Sequence, residues 1–597
     1  MSGSVAELRG MLEPKNGLAK AVVEMYDSLR NNRAPFDQEQ VELRNYIFAT
    51  DTTKTQNQKL PWRNSTTVPK LTQIRDNLHA NYIAALFPND EWMKWVGDSV
   101  DDDNKAQAIE TYLRNKTRQA GFKETVSRLI YDYIDTGNAF GDVQWVDETK
   151  IVGDETIKGY VGPQVIRTSL NDIYINPIAD SFESSPKITR TLMSLGELKV
   201  LAEEQPNLKY IQEAIAAAGG NRASMRGAFT IEDFKKAGGY SVDGFGSLYD
   251  YYQSPYVELI ELQGDIHDGD GTLLRNHVIT IMDRAFVIRQ EPIESWLPHG
   301  TMAHVGWRLR TDNLYAQGPL HNLVGMQYRI DHLENLKADV FDLIAFPPLK
   351  IRGEVEEFEW APFAEIHMDA EDSDVTMLVP DTTALQADLQ IQILEDKMEQ
   401  YAGAPREAMG IRTPGEKTAF EVEQLGSAAA RIFNEKVLNF ETQLLEPLLN
   451  SMLEVAKRNM TVAETVRVMD DDIGVELFMD ITKEDITATG KVRPQGARHF
   501  AAQRQLVQNL TGIFNSPVGQ LIAPHTSSKA LVKMIEDAFG IERYGLFRDN
   551  IAVIEQAETQ RIVQAAEQQV MQEQMVDTEE APDDEIPEQP AGGNPFA

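Results

Sequence analysis

The chain has no cysteine among its 597 residues. Disulfides and thiolate metal sites are therefore excluded, and the composition suits a protein that folds in a reducing cytoplasm. No apolar run is long enough to span a bilayer, so no membrane span is expected. The first residues, "MSGSVAELRGMLEPKNG", lack the basic stretch and apolar core of a signal peptide, and none is expected. Basic residues are scarce: 57 Lys and Arg stand against 93 Asp and Glu, a formal charge of −36. Tight nucleic-acid binding runs on Lys and Arg neutralising phosphates, so this chain is not expected to grip DNA or RNA. Hydrolytic signatures are missing too: there is no Gly-x-Ser-x-Gly and no His-Glu-x-x-His. The ten histidines are scattered, and one such as His332 reads as a packing or exposed residue rather than a ligand.

What is present reads as α+β, mainly helical. Apolar content of 42 % with 25 % charge is that of a globular protein, and the length allows several domains or one elaborate subunit. Helical spacing marks 18–48, with a break expected at Pro35, then a helix ended by Pro88, and two more divided by Gly121 and closed by Gly137. "FGDVQWV", "YVGPQVIRTS" and "DIYINPI" are short, β-branched and aromatic, as strands are. Residues 187–240 read as helix again, and 256–290 as two or three strands about a Gly/Asp-rich turn. Pro319 to Ala345 shows an apolar stripe at three- and four-residue steps, stopped by Pro347 and Pro348. A short acidic insert follows, then a second helix marked by Leu385, Leu389, Ile393 and Met398, then a loop. A very long helix from Thr418 to about Met460 is expected to kink at Pro447. A small strand unit and terminal helices near 495–515, 526–538 and 548–575 close the fold. The last residues, 576–597, are acidic, proline-rich and without Lys or Arg, which reads as disorder.

The loop "GIRTPGEKT" (410–418) is close to the phosphate cradle Gly-x-x-x-x-Gly-Lys-[Ser/Thr]. The spacing fails, because Glu416 intervenes between Gly415 and Lys417, and the loop follows a helix rather than a buried strand. Thr418 and Glu421 instead form the Thr-x-x-Glu pattern of a helix capping box. "GDIHDGDGT" (264–272) resembles a calcium loop, but its first ligand position is Ile266 and its twelfth is His277, so a hairpin turn is expected. The acidic triples 101–103 and 470–472 read as solvated turns.

The order of these elements, together with several stretches, resembles the portal (head–tail connector) proteins of short-tailed bacteriophages. "YDSLRNNRAPFDQ" (26–38), "PWRNSTTVPKLTQIRDNL" ahead of "ALFPNDEWM" (85–93), and "YIDTGNAFGDV" (133–143) are similar to motifs of that family's body. "GPLHNLVGMQYRIDHLENLKADV" (318–340) is similar to its first stem helix. "RTPGEKTAFEVEQLGSAAARIFN" (412–434) is similar to its tunnel loop, and "ITKEDITATGKVRPQGARHFAAQRQ" (481–505) to the approach to its crown.

The resemblance implies a wing at 1–316, a first stem helix at 317–346, a clip at 347–383 and a second stem helix at 384–402. It further implies a tunnel loop at 403–417, a long kinked helix at 418–460, return strands of the wing at 461–493 and a crown or helical barrel at 494–575. The implied function is a homo-oligomeric ring, dodecameric in the virion, at one capsid vertex, assembled in the host cytoplasm. Double-stranded DNA would pass through it without sequence preference. The implied partners are the major capsid protein, a scaffold protein, the terminase large subunit and tail adaptor proteins. No catalytic residue, metal or cofactor is expected, since the terminase hydrolyses the ATP. Arg406, Arg412 and Lys417 would lie near the channel. The ten carboxylates of 347–383, among them Glu354, Glu356, Glu357, Glu359, Asp369 and Glu371, would give the clip an acidic face for a basic partner. The alternatives are an NTP-binding packaging subunit built on 410–418, or another structural head or tail protein.

Overall fold

The computed structural model describes residues 17–48, 64–103, 105–152, 155–200, 256–267, 271–353, 374–402, 431–467 and 478–496, with short gaps inside some of these, and a few residues beyond. The chain divides into two compact units, Met1–Arg498 and His499–Ala597, and nearly all described residues belong to the first. That unit is mixed helix and strand, as the sequence pattern indicates.

Helix α1 (Gly17–Phe48) runs unbroken through Pro35. Proline removes one backbone bond and crowds the preceding turn, at a cost of ~3 kcal/mol. Packing on both sides of it offsets that cost, which is why the expected break is absent. Leu18, Val22 and Tyr26 are buried before it, and Leu43, Tyr46 and Ile47 after it. Between them Arg33 pairs with Asp37 at 3.0 Å and donates to the carbonyls of Leu170 (2.6 Å) and Ile173 (2.5 Å). Those two carbonyls lie just before and within β4 (Ile173–Ile175), so the helix is pinned to the sheet two residues before the proline that weakens its own bonding.

The N-terminal half of α1 covers one face of a five-stranded antiparallel sheet in the order β4, β5 (Lys187–Ser194), β6 (Tyr256–His267), β7 (Leu273–Met282), β8 (Phe286–Pro292). The assignment of β5 corrects the expectation of helix from 187. Ile188 and Arg190 are buried at a two-residue step, and the helix-like run begins only after Ser194. The hairpin reading of 264–272 fits the antiparallel register, which pairs His267 with Leu273.

The larger core joins α2 (Lys70–Leu86), α4 (Ala106–Gln119) and α5 (Phe122–Asp135) to a second sheet in the order β3 (Glu155–Thr168), β2 (Asn138–Val152), β9 (Ala303–Gly306). Gly121 has a positive φ of 64° at the junction of α4 and α5, as the glycine between those helices suggests. The four-residue helix α3 (Val100–Asp103) carries the first acidic triple. Its Asp102 accepts from Ser99 and Thr489 hydroxyls at 2.7 Å, which makes it a turn fastener.

The long helix before Met460 is described from 431: α8 (431–440), a π turn (Glu441–Leu445) and α9 (Glu446–Asn459). The irregularity falls immediately before Pro447, where the extra residue of a π turn accommodates a ring that cannot donate. Strands β14 (Glu464–Arg467) and β15 (Phe478–Ile481) pair with each other. Strand β16 (Gly490–Pro494) pairs with β1 (Met93–Gly97) at the far end of the sequence, a contact no local pattern reveals.

The buried cluster under α1 is electrostatic as well as apolar. Glu258 accepts from Arg190 Nε at 2.6 Å and from Arg284 Nε at 2.8 Å. Burial alone would raise the Glu258 carboxyl, but the two guanidinium groups outweigh it and bring it down to about 2. A carboxylate depressed in the folded state contributes stability above its unfolded value and loses it as pH falls. Stability should therefore drop between pH 4.5 and about 2, and Glu258→Gln should flatten that limb. The same variant should cost about 3–5 kcal/mol at neutral pH, because it strands Arg190, which is 3 % exposed. Urea denaturation across that pH range reads both effects.

Candidate functional site

The channel residues Arg406, Arg412 and Lys417, the cap pair Thr418 and Glu421, and the insert residues Glu354, Glu356, Glu357, Glu359, Asp369 and Glu371 all lie outside the described residues. The structure does give the frame from which both segments depart. The antiparallel hairpin β10 (Arg308–Arg310) and β11 (Asn313–Gln317) delivers the chain to Gly318. There it meets the Gly-Asn turn at 137–138. A Cβ on Gly137, whose φ is +78°, would lie 2.3 Å from Gln317 C and Gly318 N. Only glycine permits that approach. Asn138, fully buried, accepts from Ala316 N at 2.9 Å and donates to Ala316 O at 2.9 Å.

A 3-10 turn (His321–Leu323) then leads into α6 (Val324–Ala345), so the α-helix starts five residues later than Pro319. At ~1.5 Å per residue, α6 is roughly 33 Å long. Its inner part packs on the body through Ile330 and Leu333. Its outer part, from Phe341 onward, is exposed. After Pro347 and Pro348 the strand β12 (Leu349–Arg352) pairs antiparallel with β13 (Asp374–Met377), closing the base of the acidic insert. The chain returns through a 3-10 turn (Thr383–Ala387) into α7 (Asp388–Ala402). Lys337 of α6 pairs with Asp388 at the start of α7. Toward the other end of α7, Glu399 and Glu395 meet Lys70 of α2 at 2.7 and 3.9 Å. The two helices therefore lie antiparallel as a helix–hairpin–helix projection.

The body also holds a cavity of about 1490 Å³, bordered by α1, α5, β2, β3 and the five-stranded sheet. Its charged lining is largely engaged within the body. Arg75 grips Asp135 at 2.6 and 2.8 Å, and Arg167 grips Asp132 at 2.5 and 2.6 Å. Burial raises both carboxyls against the pull of their arginines, Asp132 to about 6. Asp142, also raised by burial, accepts from the Thr301 hydroxyl and from Val143 N. His79 stacks on Tyr131 at 3.8 Å and is lowered by burial. These pairs hold α2, α5 and the sheets together, and each carboxylate already faces its partner. Among the described residues, no group of three or more His, Asp or Glu is arranged to hold a metal. Among them, too, no helix is long and apolar enough to cross a membrane.

One set of residues escapes a reading of motifs. Gln327, Asp331, Asn335 and Asp339 recur at four-residue steps on α6, and the first three are fully or almost fully buried. All four bind the chain at 64–71. The available signal is a polar row with helical period inside a helix that otherwise looks apolar. No protein-family model matches this chain, and no curated protein matches it.

Lys70 is 4 % exposed and is the cation that seats α7 on the body. Lys70→Met should cost about 3 kcal/mol by removing the buried ammonium group that faces Glu399 at 2.7 Å. The double variant Lys70→Met with Glu399→Leu should recover most of that loss. Urea denaturation of the two chains checks the pair.

Proposed function

We propose that this chain is a ring-forming portal subunit of a short-tailed bacteriophage. The ring, dodecameric in the virion, sits at one capsid vertex and passes double-stranded DNA during packaging and ejection. The projection α6–β12–β13–α7 is its stem and the base of its clip. Residues 354–373 carry the rest of the clip, and 403–417 the tunnel loop. In this reading the terminase large subunit and, later, tail adaptor proteins dock on the acidic clip. The major capsid protein and a scaffold protein meet the wing. The chain itself has no catalytic role.

The observation that carries this reading is the outer part of the stem. Phe341, Leu343, Ile344 and Phe346 are 56 %, 42 %, 43 % and 54 % exposed, and Leu389, Ile393 and Tyr401 on α7 are exposed as well. At ~100° per residue Phe341, Leu343 and Ile344 point to roughly 0°, 200° and 300° about the helix axis, and Phe346 follows its last turn. They remain exposed although α7 already lies alongside. Exposed large apolar side chains gathered on one projection mark an interaction site. Residues on several sides of one projection need cover from more than one direction. A two-fold dimer covers a single self-complementary patch, whereas a head-to-tail contact gives each copy one neighbour on either flank and closes into a ring. The net charge supports the same reading, since each copy adds −36 and an acidic channel lets phosphate slide without sticking.

Negative-stain microscopy of the purified protein should show turbine-shaped rings with a central hole. Phe341→Ser combined with Ile344→Ser should leave a folded monomer by circular dichroism and sedimentation. Monomers or filaments from the unaltered chain at all concentrations would overturn the reading. So would robust ATP turnover that disappears in Lys417→Ala, which would favour the NTP-binding alternative.

A further inference from the structure

The four-residue polar row on α6 matches the main chain of 64–71 rung by rung. Asp339 Oδ1 accepts from Asn64 N at 2.8 Å. Asn335 accepts from Thr66 N at 2.8 Å and donates to Thr66 O at 2.9 Å. Asp331 Oδ1 accepts from Val68 N at 2.9 Å. Gln327 donates to Val68 O at 2.6 Å and accepts from Leu71 N at 3.3 Å. The match is metric. Four helical residues advance ~6 Å and two extended residues ~6.6 Å, so residues 64, 66 and 68 meet 339, 335 and 331 in order. The segment behaves as a strand whose sheet partner is a row of helix side chains.

Two rungs carry carboxylates, Asp339 at the outer end and Asp331 within, and only Asp331 is fully buried. Asn335 and Gln327 present amides, which complement a peptide group at both ends. Asp331 presents a carboxyl that is fully buried, and its Oδ1 takes both available donors, Val68 N and Gln327 Nε2 at 2.8 Å. Its Oδ2 is buried with no hydrogen-bond partner. We propose that residues 64–71 are a strap that latches the inner stem helix to the body, and that Asp331 is its proton-responsive catch, closed when the carboxyl is neutral and loosened when it is charged.

The charged groups on the surrounding elements do not supply a counter-ion. Lys70 of α2 is held by Glu399 and Glu395 of α7, and Lys337 by Asp388 and Glu334. Other charged or titratable groups on those elements include Arg329, His332, Asp339 and Asp342 on α6, His321 in the preceding turn, Arg75, Asp76 and His79 on α2, Asp396 and Lys397 on α7, and Arg33, Asp37, Glu39, Glu42 and Arg44 on α1. None forms a hydrogen bond or ion pair with Asp331. Burial pushes its carboxyl up to about 7, against the Val68 and Gln327 hydrogen bonds that favour the charge. With the strap open, water would solvate both oxygens and the carboxyl would return toward ~4. The closed state thus binds the proton more tightly, so the latch weakens as pH rises from ~4 to about 7 and changes little above that.

The absence of cysteine makes the test clean. Thr67 lies within the strap and is 4 % exposed, whereas Val100 is 79 % exposed. Thiol labelling of a Thr67→Cys chain is measured against a Val100→Cys chain, whose rate carries the ordinary thiolate dependence on pH. The ratio of the two rates should rise on the order of tenfold between pH 5.5 and 8. In the Asp331→Asn background the ratio should be flat. Asn335→Leu removes a neighbouring rung but keeps the catch, and should raise labelling at both pH values while preserving the tenfold ratio. A flat ratio in the Thr67→Cys chain alone overturns the proposal. An unchanged pH dependence with Asp331→Asn, or its loss with Asn335→Leu, overturns it equally.

Discussion

The α6–α7 projection depends on a constraint that has nothing to do with apolar packing: peptide groups of Asn64, Thr66, Val68 and Leu71 lie against α6 and are met by its side chains. A buried N–H or C=O left without a partner costs about 1–3 kcal/mol. The α6 side chains supply those partners, and for that reason Gln327, Asp331 and Asn335 occupy positions where an apolar stripe would otherwise run. The polar row orients as well as satisfies. Amide groups accept only matched donors and acceptors, so the helix cannot slide along the strap by one residue without breaking every rung. A root fixed in this way lets the outer, apolar part of α6 project instead of folding back on the body.

The interior also bears on the surface charge. Arg33, Arg75, Arg190, Arg284, Lys70 and Lys116 are each committed to carboxylates or carbonyls inside the body. Cations spent on the interior are unavailable outside, and the chain holds 93 Asp and Glu against 57 Lys and Arg. A deficit of basic residues that looks moderate in composition is thus concentrated toward solvent. In the proposed ring that is the property needed of a channel wall over which a polyanion moves, and of a clip that receives a basic partner.

Much of the architecture is legible in the sequence. The helices that became α2, α4, α5, α6 and α7 announce themselves by apolar spacing and by Gly or Pro at their ends, because amphipathic burial and chain stiffness act locally. The strand pairs β6–β7, β12–β13 and β14–β15 are legible for the same reason. Where local and distant forces compete, the sequence misleads. Pro35 looks like a break, but Arg33 and the carbonyls of Leu170 and Ile173 lie far from each other in sequence. Residues 187–194 look helical only when grouped with the helix-like run after Ser194. The pairing of Met93–Gly97 with Gly490–Pro494 and the ladder from 327–339 to 64–71 are wholly non-local, so no window over one segment contains them. The charged residues expected of the channel and clip are legible by type and order alone, and the described structure bears on them only through the helices that carry them.

The stretch 64–71 and α7 are not independent. The stretch that forms the ladder continues directly into α2, whose first residue is Lys70. Lys70 lies two residues beyond Val68, the peptide held by Asp331, and it is the cation that seats Glu399 of α7. One short run of chain therefore touches both α6 and α7, by peptide groups on one side and by an ammonium group on the other. Displacing the strap from α6 moves the backbone that positions Lys70, and a buried ion pair tolerates little displacement before desolvation outweighs attraction. Coupling between the two helices thus has a physical route through a contiguous set of contacts. In the proposed latch, a change at Asp331 therefore bears on the seating of α7 as well as on α6.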